Sequence, residues 1–151
     1  MTTPTPTGRP YRVLVTGSRD WTDTLAVAAA LEQSVIDAGP CPILVVHGAC
    51  PTGADRHADT HARQLRNGGV SIDIERHPAK GHPTQDFGPW PCAGPRRNAH
   101  MVSLGADVCL AFIGPCTSPR CPRTDPHDSH GASGCVRLAE AAGIPVRRWT
   151  A

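Results

Sequence analysis

The sequence predicts an α/β domain of Rossmann-like design, a three-layer sandwich built on a mostly parallel sheet of about five strands. Three observations carry this. Short β-branched runs alternate with stretches of helical period, the pattern of strands joined by crossover helices. The first two β-runs stop at glycine, Gly17 and Gly48, as strands entering tight turns do. The length of 151 residues suits one domain, and a chain of that size buries roughly 68–70% of its unfolded surface.

The elements follow in order. Tyr11–Thr16 (YRVLVT) is a short strand, and about Thr24–Ala38 is a helix with Ala28, Leu31 and Val35 on one face and Gly39 as its stop. Ile43–His47 (ILVVH) is a buried strand. Ala54, Ala58, Ala62 and Leu65 mark the apolar face of a second helix, closed by Asn67-Gly68-Gly69. Val70, Ile72 and Ile74 alternate as a third strand. Residues 77–95, rich in Pro, Gly and His, form a long loop before a short helix near Pro95–Leu104 and a strand at Val108–Ile113. A second long loop covers 114–130, a helix about Ser133–Ala142, and a last strand Pro145–Trp149. Structureless loops beyond ~12–15 residues are uncommon in compact domains and are usually functional or disordered.

Composition narrows the function classes. Aromatics are 4%, so Val, Ile, Leu and Ala fill the core. No apolar run reaches the ~20 residues that cross a bilayer, and residues 1–10 (MTTPTPTGRP) read as a disordered lead-in without secretory features, leaving 11–151 as the domain. A net charge of +2, with one Lys and otherwise Arg among the fifteen basic residues, gives no basic patch with aromatic platforms, so nucleic acid is an unfavoured partner. Seven cysteines, an odd count without an export signal, point to a reducing, cytoplasmic setting in which they pack or bind metal.

Four turns concentrate the chemistry. Gly17-Ser18-Arg19 joins strand to helix with close backbone approach, a hydroxyl and a cation, a combination suited to phosphate or ribose. The turn from Gly48 to Gly53 and Asp55 resembles a loosened phosphate loop but lacks the Lys-Ser/Thr pair of an NTP hydrolase; Asp55 equally suits a helix dipole. Gly94 to Asn98 brings Arg97 and Asn98 to a helix start, and Gly131, Ser133 and Gly134 form a small-residue turn that exposes backbone N–H groups. Four such turns fall at carboxyl ends of strands, where open α/β sheets bind ligands. The second long loop adds Cys116, Cys121, His127 and His130, four ligands within fifteen residues and enough for a tetrahedral Zn²⁺, with Cys92 or His82 as substitutes. A flexible, metal-free Cys/His loop is the competing account. His57 and His61, four apart on a helix, lack an HExxH context.

Taken together, VTGSRDWTD, HGACPTGAD, HPAK…AGPRRNAHM and SHGASGCVRLAEAAGIPV resemble the YspA-like (cpYpsA-related) family of the SLOG superfamily over about residues 11–149. That superfamily is Rossmann-like and related to the LOG phosphoribohydrolases and to the DNA-processing protein DprA. The resemblance implies a cleft lined by Gly17, Ser18, Arg19, Gly48, Gly53, Asp55, Arg97, Asn98 and the turn Gly131–Gly134, and a homodimer. LOG enzymes carry PGGxGTxxE; here HGASGCVRL keeps Gly131 and Gly134, places Cys135 at the Thr, and puts Leu138 at the catalytic Glu. The expectation is therefore binding or sensing of a phosphorylated, nucleotide-derived small molecule. The alternatives are a LOG-like N-glycosidic hydrolase, with Asp55 or Asp86 replacing the Glu, and a DprA-like binder of single strands.

Overall fold

The strand runs pair into one sheet: the three central ones, Tyr11–Gly17, Ile43–His47 and Val108–Ile113, are apolar on both faces and need a helical layer on either side, whereas the edge runs Ile72–Arg76 and Val146–Thr150 mix apolar with charged residues. The structure, a computed structural model, describes residues 9–151; the expected lead-in lies outside the described residues for positions 1–8. The strands are β1 (Tyr11–Gly17), β2 (Ile43–His47), β3 (Ile72–Arg76), β4 (Val108–Ile113) and β5 (Val146–Thr150), and the helices α1 (Thr24–Ala38), α2 (Gly53–Asn67), α3 (Ala93–Ser103) and α4 (His130–Ala141). The expected mostly parallel sheet is parallel throughout, in the order β3-β2-β1-β4-β5.

Period-two alternation sorts the core. Val13, Val15, Leu110 and Phe112 face α1 and α2, meeting Val27, Leu31, Ala54 and Ala58. Leu14, Val46 and Cys109 face α3 and α4, meeting Met101, Cys135 and Ala139. Small residues on α2 let that helix sit close to the sheet: Ala58 and Ala62 are fully buried. The first helix starts where Asp23 accepts the Ala26 N–H at 3.0 Å and ends at Gly39, whose φ of 58° suits glycine.

Two helix starts differ from the sequence reading. The third helix begins at Ala93, so Pro95 falls in its first turn, where a missing N–H is tolerated, and Arg97 lies one turn further in. The fourth begins at His130, three residues before the expected Ser133, because Ser133 N–H already bonds the Ser129 carbonyl at 3.0 Å. Gly131–Gly134 is therefore the opening turn of α4, not a loop ahead of it. In the third strand Val70 stands outside the ladder, its N–H held by the Leu65 carbonyl.

The sheet grows outward from β1 to β3, then the chain returns to place β4 on the other side of β1. The two directions diverge between β1 and β4, the switch point at which doubly wound sheets open a crevice. No helix among the described residues is long and apolar enough to cross a membrane.

Candidate functional site

The carboxyl end of β1 is built for close approach. A side chain at Gly17 would strike the Ala54 Cβ and the Phe112 carbonyl, and one at Gly53 would strike the Ser18–Arg19 backbone, where Gly53 also needs its φ of 73°. These two glycines let α2 start directly against the β1 turn, with Ala54 N–H donating to the Ser18 carbonyl at 3.2 Å. Ser18 is buried, and its hydroxyl oxygen accepts the Gly114 N–H at 2.8 Å, tying β1 to the end of β4. Ser18 thus fixes the switch point. Arg19 is exposed beside it and makes no ion pair among the described residues.

At the neighbouring turn, Ala49 adopts a left-handed φ of 55°, unusual for a residue with a side chain. Its N–H donates to His47 Nδ1 at 2.9 Å, and the curl lets the Cys50 N–H reach Asp55 Oδ2 at 3.3 Å. Arg97 comes from α3 to close this turn: Nη1 donates to the Gly48 carbonyl at 2.5 Å and the His77 carbonyl at 3.2 Å, and Nε donates to Asn98 Oδ1 at 2.7 Å. A side chain at Gly48 would collide with that guanidinium. Asp55 is buried, which pushes its carboxyl pKa up against the opposing pull of His47, the Cys50 N–H and Arg97. Burial likewise pulls the Arg97 guanidinium down, and the Asp55 charge resists it.

The fourth turn meets this group from the other side of β1. Cys135 is fully buried against β1; burial raises its thiol pKa, Thr16 and the Arg97 charge oppose the rise and the Asp55 charge adds to it. Side chains at Gly131 and Gly134 would meet nothing within 4 Å. The expected glycines therefore divide by role. Gly17, Gly48 and Gly53 permit packing, whereas Gly131 and Gly134 leave open space at the start of α4, with Ser133 part-exposed between them. Helix starts present unpaired N–H groups and a positive dipole end.

The Cys/His loop folds back on itself. Pro115 bridges Asp128 and the Cys116 N–H bonds the His127 carbonyl at 2.7 Å. One ligand atom from each of Cys116, Cys121, His127 and His130 lies within 4.8 Å of the others, a grouping that can hold a metal ion. Cys121 Sγ is 3.4 Å from His127 Nε2 and 3.3 Å from His130 Nε2, and the two Nε2 atoms are 3.1 Å apart. The proposed substitutes are elsewhere: His82 Nδ1 accepts the Thr84 and Gln85 N–H groups, and Cys92 is exposed next to α3. His57 and His61 do not converge either, since His57 Nε2 bonds the Trp21 carbonyl and His61 lies by Glu32.

Sequence reasoning missed two polar clusters. Asp59 receives His47 Nε2 at 2.7 Å, Arg63 at 2.9 Å and Arg76 at 2.7 Å. Burial alone would raise its carboxyl; the bonds from Arg76, His47 and Arg63 outweigh that and hold it well below the usual range. The Asp59/Arg63 spacing of four was readable, but His47 and Arg76 join only because β2 and β3 pair them in register. The second cluster is His77, whose Nε2 lies 2.7 Å from Glu75 and whose Nδ1 lies 2.9 Å from Gln85 Oε1, pinning the first long loop. Asp86 caps Gly88 within that loop. Leu138 lines a cavity of about 470 Å³ between α3 and α4 with Val102 and Ile144, beside the carboxyl ends of the helices and away from the switch point.

A parallel five-stranded sheet with helices on both faces and its strand order reversing between β1 and β4 defines a Rossmann-like α/β domain. Comparison with known proteins makes this particular: the model of the YspA, cpYpsA-related SLOG family matches residues 11–79, and the chain is 39% identical over 138 residues to the gene 61 protein of Mycobacterium phage D29, spanning 89% of this chain and 93% of that protein. The chain belongs to the YspA, cpYpsA-related SLOG family.

Proposed function

We propose that the protein binds or senses a phosphorylated, nucleotide-derived small molecule at the switch point between β1 and β4. The observation that carries this is the open start of α4, where Gly131 and Gly134 face open space next to the β1 turn and Arg19, which makes no ion pair among the described residues. Backbone N–H groups and a helix dipole favour a phosphate there, and Arg19 supplies a charge-assisted contact. Family membership is consistent with a nucleotide-related ligand. Calorimetric titration with AMP, NAD and ADP-ribose tests it: saturable binding of at least one supports the reading, and no heat with any of the three contradicts it.

One observation favours a hydrolytic role as the second reading. Asp55 is a buried carboxyl with a raised pKa beside an arginine, the environment of a general acid. Release of free adenine from AMP would support it, and binding without release would leave the protein a sensor. The separate Cys/His cluster supports a resident zinc. Zinc bonds of about 2.3 Å to sulfur and 2.0–2.1 Å to nitrogen give a tetrahedron with S···N edges of about 3.6 Å and an N···N edge of about 3.3 Å. The separations among Cys121, His127 and His130, 3.3–3.4 Å and 3.1 Å, are close to those edges, and the Cys116 thiol lies within 4.8 Å of all three. His127 Nδ1 lies 2.8 Å from the Asp125 carbonyl, which can only accept; Nδ1 therefore carries the proton and Nε2 offers its lone pair to the cluster centre. Four protein ligands close the coordination shell, so this zinc is structural.

A further inference from the structure

We infer that the metal cluster controls the ligand cleft, by fixing the first turn of α4 through His130. This rests on the zinc and phosphate readings above and adds a regulatory link between them. His130 is at once a cluster member and the first residue of α4. The residue before it, Ser129, donates its N–H to the Gly114 carbonyl at 3.0 Å and takes the Ser133 N–H on its own carbonyl. Gly114 in turn donates to Ser18 Oγ. One short path therefore runs from the metal ligand through the start of α4 to the β1 turn, and both ends of that path border the proposed phosphate position.

The physical need for such a clamp is specific. Ser129 stands at the N-cap position, but its side chain makes no capping hydrogen bond, so the first turn of α4 lacks the usual local anchor. Gly131 and Gly134 weaken it further, since glycine loses more freedom on entering a helix than any other residue. The preceding loop, residues 114–129, has no helix or strand of its own and is tied mainly at its two ends, by the Pro115–Asp128 bridge, the Cys116–His127 and Ser129–Gly114 backbone bonds and the Thr117–Asp20 side-chain bond. Zinc bound to Cys116 and Cys121 at one end and to His127 and His130 at the other closes that loop on the helix start. Each thiol gives up its proton on binding, and two thiolates with two neutral imidazoles leave the Zn²⁺ centre without net charge. An anion in the cleft therefore feels the ordering of the N–H groups and no added field.

The test uses the full chain, purified reduced without added metal, then stripped with a chelator under reducing conditions and reloaded with zinc. Metal content, amide hydrogen exchange and AMP affinity are read on each form. The inference expects about one zinc per chain. It expects stripping to speed exchange of the Ser133, Gly134 and Cys135 amides while β2 and β3 are unchanged, and to weaken AMP roughly ten- to a hundred-fold, the loss of one hydrogen bond to a charged group. Reloading should restore both. Cys121→Ser should reproduce the stripped form, and His127→Cys, which keeps a Cys₃His set, should retain the metal and the protection. Zinc near zero overturns the inference with the metal reading. Full zinc with identical exchange after stripping overturns the coupling alone. If AMP fails to bind the loaded protein, the ligand reading falls with that probe, and the exchange comparison still decides the clamp.

Discussion

Removing the Arg97 side chain should destabilise the fold rather than merely weaken a ligand. Its guanidinium donates to the carbonyls of Gly48 and His77, which belong to different turns, and faces the buried Asp55. In Arg97→Ala both carbonyls lose their donor, and Gly48 and His77 are buried. A buried acceptor left unmet costs ~1–3 kcal/mol. Arg97 is itself half-buried, so water enters part of the vacated space and moderates the loss. We expect about 2–3 kcal/mol, which for a chain of this size lowers Tm by roughly 5–10 °C. Arg97→Lys should fall between, keeping the charge near Asp55 but only one of the forked bonds. Urea unfolding at pH 7, followed by far-ultraviolet circular dichroism, reads the difference directly. A loss under about 0.5 kcal/mol, the range of ordinary surface changes, would refute the bridging role.

Arg19→Ala, in contrast, should leave Tm unchanged and weaken AMP roughly ten- to a hundred-fold, measured by calorimetry on the same samples. Gly134→Ala should stabilise the free protein by about 0.5–1 kcal/mol, because the new methyl meets open space within a helix; the same methyl should lower affinity, so a gain in both quantities would contradict the placement of the ligand. Asp55 has a raised folded-state pKa, so the native state holds its proton more tightly than the unfolded chain. Its contribution to stability should fall as pH rises from about 4, the unfolded value, through the raised value. Asp55→Asn removes that slope, and superimposable pH–stability profiles for the two proteins would refute the assignment. Asp59 runs the other way: its depressed carboxyl stabilises at neutral pH, and the difference between wild type and Asp59→Asn should vanish as pH falls through the folded-state value.

How much of this was legible in the sequence follows from what each feature depends on. The β-rich run Tyr11–Thr16 announced a strand, and the period of Ala28, Leu31 and Val35 with Gly39 as stop announced α1, since caps and period are local properties. The Cys116/Cys121/His127/His130 grouping was readable for the same reason: four ligands in one loop need little else to meet. The start of α4 was misplaced because glycine and serine at 131–134 carry the signature of a loop, while the hydrogen bond from Ser133 to Ser129 that makes them helical depends on Gly114 holding Ser129 in place. Nor did spacing distinguish Gly48 and Gly53, which make room for an arginine and a backbone, from Gly131 and Gly134, which face open space among the described residues. The His47–Asp59–Arg76 cluster needs strand register, which no local pattern encodes.

The central claim is that a phosphorylated ligand occupies the switch point between β1 and β4, and an amide-resolved nuclear magnetic resonance titration with AMP tests it most directly. The account predicts that the largest shifts fall on Ser18, Arg19, Gly114 and the Gly131–Gly134 turn, saturating together. Shifts centred on Val102, Leu138 and Ile144, in the cavity at the opposite edge of the sheet, would contradict it.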